Sequence, residues 1–203
     1  AIAHLRMGGA PGADRTAPRG VILDRNGRVL VNHRPALVVG IRPMGLPRGR
    51  LGTILKRLAP VLDMTPAAMR TRLREHSGYD YDVAVIKRDV SEAVASYILE
   101  RKVSLPGVEV TSDYLRAYPR GDLAAQTLGY VAEIDAEQLR LPRYRGYRPG
   151  DLIGESGLEY TYDRYLRGRD GAKILRVDAN GRFVSDQPIN EREPIPGRQL
   201  RLS

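Results

Sequence analysis

The sequence predicts an α+β fold, a β-rich framework with a compact helical and mixed lobe inserted into it. Three observations carry this reading. Short β-branched runs bounded by turn residues lie at both ends of the chain, and apolar residues at helical spacing fill the stretch from about 44 to 105. No regular strand–helix alternation occurs, which excludes a doubly wound parallel sheet and leaves a mixed or antiparallel one.

The elements follow in order. Residues 1–16 hold a Gly/Pro/Ala cluster without a sustained period and read as a flexible leader. Val21-Ile22-Leu23, the turn Asp24-Arg25-Asn26-Gly27 and Val29-Leu30-Val31 predict a hairpin, with Asn-Gly suited to the positive φ angles of a type I′ turn. Ala36–Ile41 reads as a further buried strand. Ile54, Leu55, Leu58, Val61 and Leu62 form a helical stripe, and Thr65-Pro66 is an N-cap followed by proline at the first helical position. Val83–Ile86 is a strand. Ser91 caps a helix with Val94, Ile98 and Leu99 as its buried stripe, ending before Pro106. Strands follow at 108–110 and 114–118, then a short helix from Asp122 to Leu128 closed by Gly129, with Tyr130-Val131 extended. Residues 140–151 read as an irregular loop, and 157–167 as a helix with Leu158, Tyr162, Tyr165 and Leu166 on its inner face, ended by Gly168. A second Asp-x-Asn-Gly turn, 178–181, sits between the runs 174–177 and 183–184.

Composition narrows the function classes. The chain has 203 residues with 42% hydrophobic and 28% charged content, ordinary values for a folded domain. The longest apolar run, Ala36–Ile41, is far short of the roughly 20 residues that cross a bilayer. No secretory signal pattern opens the chain. With Cys 0, disulfides, zinc thiolates and thiol nucleophiles are excluded. The formal charge is +9, and only Lys56, Lys87, Lys102 and Lys173 are lysine, the other basic residues being arginine. Such a surface is ordinary when solvated, and it also suits nucleic acid or another anionic surface.

Few residues of the chain fall into the patterns that carry chemistry. No serine is followed by lysine three residues on, and neither Ser-x-Asn nor Lys-Thr-Gly occurs, so the serine acyl-transfer set is absent. His4, His33 and His76 lack metal-ligand spacing, no Gly-Lys pair forms a phosphate loop, and no cofactor is expected. Glu155, Glu159 and Asp163 share a helical edge; that edge reads as a solvated face in preference to a catalytic carboxylate pair. Arg140, Arg143, Tyr144, Arg145, Tyr147 and Arg148 interleave cations with aromatics, the pattern that contacts phosphate and stacks on bases, so a basic nucleic-acid-binding domain is the alternative reading.

Three motifs point elsewhere. The first is the run from Arg19 and Gly20 through Asp24, Arg25, Asn26 and Gly27 to Leu30. The second runs from Tyr118, Pro119 and Gly121 to Gly129 and Tyr130. The third starts at Gly154, passes Gly157 and Glu159, and continues through Leu166 and Gly168 to Gly171. Their order and spacing resemble the N-terminal, non-catalytic pedestal (dimerisation) domain of class B penicillin-binding proteins. Pro106–Val110 and Asp151–Gly154 are most similar to the elongation-type branch, penicillin-binding protein 2. Gln126 departs from the family, which often has His there.

The resemblance implies a two-lobed clamp, with an anchor over 17–43 and 106–203 and a head over 44–105. It implies a parent peptidoglycan D,D-transpeptidase of cell-wall elongation, held by a membrane helix at the extracytoplasmic face of the bacterial cell membrane. The transpeptidase domain, which handles peptidoglycan, would follow this region, with 196–203 entering it. Implied partners are the SEDS-family glycosyltransferase and the scaffold protein of the rod complex. The motif residues are expected to serve folding, and no catalytic, cofactor or metal residue is assigned.

Overall fold

The computed structural model describes residues 2–6, 17–43, 46, 49–75, 83–121, 125–176 and 190–203, with backbone alone at 2–6, 125 and 172–176. The turn predicted at 178–181, residues 183–184, His76, Asp122 and residues 1 and 7–16 of the predicted leader fall outside that set.

The fold is α+β, as the patterning predicts. Its centre is a five-stranded sheet built on one long strand, β3 (Val29–Ile41). Leading into it is the short β2 (Ile22–Leu23); β4 (Ala84–Val90) and β5 (Val108–Ala117) pair antiparallel with β3, and β10 (Leu200–Arg201) adds in parallel to β2. The runs read separately at 29–31 and 36–41 are thus one strand. Pro35 interrupts the apolar pattern between them but lies before pairing with β4 begins at Leu37, where its missing N–H is tolerated. In the same way 108–110 and 114–117 join into β5, held along its length by β3, and Tyr118 lies just past its end.

The first hairpin forms with a different turn. Gly27 has φ 79° whereas Asn26 is not in the positive-φ region, so type I′ is excluded. Gly27 N–H donates to Asp24 O, Asp24 N–H to Arg28 O, and the Asp24 carboxylate accepts from the N–H groups of Asn26 and Arg28, both at 2.8 Å. The aspartate side chain, more than Asn26, closes this bulged turn.

Helices α1 (Leu51–Leu62), α2 (Pro66–Glu75) and α3 (Glu92–Glu100) pack on the β3–β4–β5 end of the sheet. Ile54, Leu55, Leu58, Leu62, Met69, Ile86 and Ile98 form their common core with Val39, Ile41 and Val108, contributed from either side of the 44–105 block. Thr65 Oγ1 and Ser91 Oγ cap α2 and α3 as their sequences predict. In α3 the buried stripe is Ala95 and Ile98 with Val94 partly covered, and Leu99 is exposed. Ala95 completes the i, i+3 row that Leu99, one residue round the helix, misses.

At the other end Ile22, Val31, Leu128 of the short α4 (Ala125–Leu128) and Leu166 form a second core, and Ile134, Tyr144 and Ile153 a third. The latter lies under β6 (Val131–Glu133) and β7 (Leu152–Gly154), an antiparallel pair. A third sheet joins β1 (Ile2–Arg6), β8 (Ala172–Arg176) and β9 (Asn190–Arg192). Residues 2–6 are therefore not a structureless leader: their register opposite β8 comes from a partner about 170 positions away, which local periodicity does not reveal.

The predicted helix over 157–167 is two short pieces, α5 (Gly157–Thr161) and α6 (Asp163–Leu166), broken at Tyr162. Leu166 is fully buried and Leu158 packs against the second core, but Tyr162 and Tyr165 are exposed. The residues turned inward are Glu159 and Asp163.

Candidate functional site: a buried arginine–carboxylate cluster

Glu159 lies on α5 with no exposed surface, and Asp163 begins α6 at 2% exposure. The solvated acidic face expected here is thus overturned for both. Two arginines enclose them. Arg19, on the segment leading into β2, donates from Nε to Glu159 Oε2 at 2.6 Å and from Nη2 to the Glu159 carbonyl at 3.0 Å, with the same Nη2 2.8 Å from Asp163 Oδ1. Arg116, on β5, donates from Nε to Glu159 Oε1 at 2.7 Å, its Nη2 lying 2.6 Å from the same oxygen. Asp163 also accepts from the Gly154 N–H at 2.9 Å and from the Tyr147 hydroxyl.

Two guanidinium groups thus face two carboxyl groups in a closed cluster. Burial alone would lower the Arg19 pKa, but attraction to Glu159 and Asp163 outweighs it and the pKa is raised. Arg116 is pulled the other way, chiefly by burial and in part by its neighbour Arg19, with Glu159 opposing. Tyr118, two residues beyond Arg116 on the same extended segment, is pushed up to about 12 by burial and by the Glu159 carboxylate. Its hydroxyl is buried without a well-formed hydrogen bond. Tyr147 is likewise raised to about 12 by burial and by its bond to Asp163.

The glycines of the motifs let these segments meet. Gly129 and Gly157 both have positive φ, and each faces the other's loop. A Cβ on Gly129 would lie 1.9 Å from Ser156 O, and one on Gly157 2.4 Å from Thr127 O. A Cβ on Gly154 would strike the Glu159 carbonyl at 1.9 Å. Gly20 donates its N–H to Leu166 O and sits against the 197–198 backbone; Gly168 packs on Ile195 and Gly171 on Arg192. Gly121 turns the chain after Tyr118 and Pro119, while Tyr130 is exposed and its carbonyl accepts from Glu155 N–H. The Arg25 carbonyl accepts from Arg201.

The three sequence motifs therefore converge. Arg19 and Gly20 of the first, Tyr118 and Gly129 of the second, and Gly154, Gly157, Glu159 and Leu166 of the third pack at one place. Arg116 is the member sequence reasoning missed. Its signal was its place two residues before Tyr118, which puts both on one side of an extended segment. Chemically the cluster is a clamp: each carboxyl group is already held by arginine, and neither has surface to offer a substrate.

The basic–aromatic loop offers no base-stacking platform. Tyr144 is buried, Tyr147 is tied to Asp163, and the Arg143 guanidinium stacks 3.5 Å over the Tyr160 ring centre while donating to the Tyr160 carbonyl. His33 is half-buried and held below the usual histidine range by burial and by Arg116. Among the described residues no group of three His, Cys, Asp or Glu side chains could hold a metal ion, and no helix is long and apolar enough to cross a membrane.

Comparison with known proteins accords with this geometry. Peptidoglycan D,D-transpeptidase MrdA of Acinetobacter baumannii is 28% identical over 186 residues, 91% of this chain. The chain spans only 27% of that protein's length. A solved complex between penicillin-binding protein PBP2 and MreC from Helicobacter pylori contains a chain that superposes with a TM-score of 0.71 at 22% identity, covering 100% of this chain and 36% of that one. Penicillin-binding protein 2B of Streptococcus pneumoniae superposes with a TM-score of 0.76 at 17% identity over 99% of this chain and 41% of its own. The penicillin-binding protein dimerisation domain pattern matches residues 14–202, essentially the chain from end to end, and the chain belongs to that family.

Proposed function

We propose that this chain is the non-catalytic pedestal of a peptidoglycan D,D-transpeptidase acting in cell-wall elongation. It positions a transpeptidase domain and binds partners of the elongation complex. The observation that carries the reading is the convergence of three family motifs on a cluster that is buried, charge-matched and closed to substrate. Such a unit transmits position; it does not perform acyl transfer. The sequence holds no Ser-x-x-Lys, Ser-x-Asn or Lys-Thr-Gly, the set that acyl transfer from a penicillin-sensitive serine needs.

The two-lobed clamp, with anchor 17–43 and 106–203 and head 44–105, belongs to this proposal, as does placement at the extracytoplasmic face of the cell membrane. The proposed partners are a scaffold protein of the MreC kind, supported by the PBP2–MreC complex, and a SEDS-family glycosyltransferase. Two experiments test the reading. A fluorescent penicillin should leave this chain unlabelled; stoichiometric covalent labelling would refute the non-catalytic role. Titration with the extracytoplasmic part of the scaffold protein should give saturable binding, and its absence would remove the partner assignment.

A further inference from the structure

The turn after α3 carries a feature that folding of this chain does not use. Val103 is 98% exposed, nearly the whole side chain in water, and Leu99, one helical turn before it, is 55% exposed. Tyr97 is 39% exposed, with the Arg101 guanidinium 3.9 Å over its ring centre. Lys102 and Arg57 are exposed beside them, and Glu100, within 3.5 Å of Arg101, is the acid nearest in sequence. The tip is not a loose loop. Leu105 is buried in the main core, its N–H and the Ser104 hydroxyl both bond the Arg101 carbonyl, and Arg57 bonds the Ser104 carbonyl at 3.0 Å. The fold therefore holds Val103 and Leu99 out at a fixed place.

We infer that this tip, residues 97–104 with Arg57, docks on an anionic phospholipid surface, Val103 and Leu99 entering the interfacial layer while Arg57, Arg101 and Lys102 meet the headgroups. Charge and size select this occupant. Three cations against one acid complement an anionic surface, and Tyr97 has the amphipathic ring suited to the headgroup layer. Two aliphatic side chains and a tyrosine edge are too little apolar area for a stable protein interface, which needs twenty or more residues a side. They suffice for a shallow contact to which electrostatics adds.

The experiment is co-sedimentation of the chain with phosphatidylcholine vesicles containing about one-third phosphatidylglycerol, beside vesicles of phosphatidylcholine alone. Partition onto the anionic vesicles should be about tenfold higher or more and should fall steeply with salt. Val103→Asp and Lys102→Glu should each lower it about fivefold or more. Arg145→Glu, the same charge change as Lys102→Glu at an exposed site on another loop, should leave it within about twofold. All three positions are exposed, so thermal unfolding should be unchanged and serves as the folding check. Equal partition onto both vesicles, no partition at all, or an Arg145→Glu loss matching that of Lys102→Glu would overturn the inference. So would self-association without vesicles that Val103→Asp abolishes, which would assign the tip to a second copy of the chain.

Discussion

The Glu159 carboxylate holds two arginines from distant parts of the chain at once: Oε2 accepts from Arg19 Nε at 2.6 Å and Oε1 from Arg116 Nε at 2.7 Å. Arg19 lies 140 positions before it and Arg116 43. One side chain therefore closes the loops that join the beginning, the middle and the C-terminal third of the fold.

Removing that carboxylate's charge leaves Arg116, 3% exposed, without its counter-ion. Glu159→Gln should destabilise the chain by about 3–5 kcal/mol in urea unfolding, the range for breaking one partner of a buried pair. A loss below about 1 kcal/mol would place the cluster among surface-like pairs.

Glycine substitutions separate steric need from backbone strain. Gly129 and Gly27 have nearly the same φ, 76° and 79°, but a Cβ on Gly129 meets Ser156 O at 1.9 Å and one on Gly27 meets nothing within 4 Å. Gly27→Ala should cost about 1 kcal/mol from its φ alone, and Gly129→Ala several-fold more. Equal costs would mean that the close approach at Gly129 is relieved by movement.

Alkaline pH should loosen the same region. Tyr118 and Tyr147 reach about 12 in the folded chain, above the ordinary value near 10. The unfolded chain thus loses these protons first, and stability present below about pH 10 falls as pH rises toward about 12. Tyr118→Phe should flatten that decline while changing stability at neutral pH by less than about 1 kcal/mol, because its hydroxyl makes no well-formed bond. Tyr147→Phe should already cost about 1.5–3 kcal/mol at neutral pH through the bond lost from Asp163. Urea midpoints across this pH range check both.

Arg88 ties the central sheet to the small β6–β7 sheet. It pairs with Asp113 on β5, lies 3.3 Å from Glu133 Oε1 on β6, and donates to the Gly150 carbonyl at 3.1 Å. Arg88→Ala should speed amide exchange in Val131–Glu133 selectively, with a loss of about 1–3 kcal/mol. A uniform rise in exchange across the chain would count against a local tie.

The fold class, the capped helices and the first hairpin were legible because each depends on near neighbours in sequence. Thr65, Ser91 and Gly27 act within four residues of themselves. What misled was the meaning of helical edges: at 157–167 tyrosine looked apolar and glutamate looked solvated, yet Tyr162 and Tyr165 face water while Glu159 and Asp163 are buried. Charged residues are buried only where partners neutralise them, and those partners, Arg19 and Arg116, lie far away in sequence. The motifs marked where such residues lie without showing that they touch. The same limit hid β1, whose strand character is conferred by β8.

The most direct test of the central claim, that one buried carboxylate binds the motifs together, is a double-mutant cycle on Arg19→Met and Glu159→Leu followed by urea unfolding. The cluster predicts a coupling of about 2 kcal/mol or more, the double variant being less damaged than the sum of the two single ones. Additivity within about 0.5 kcal/mol would contradict it.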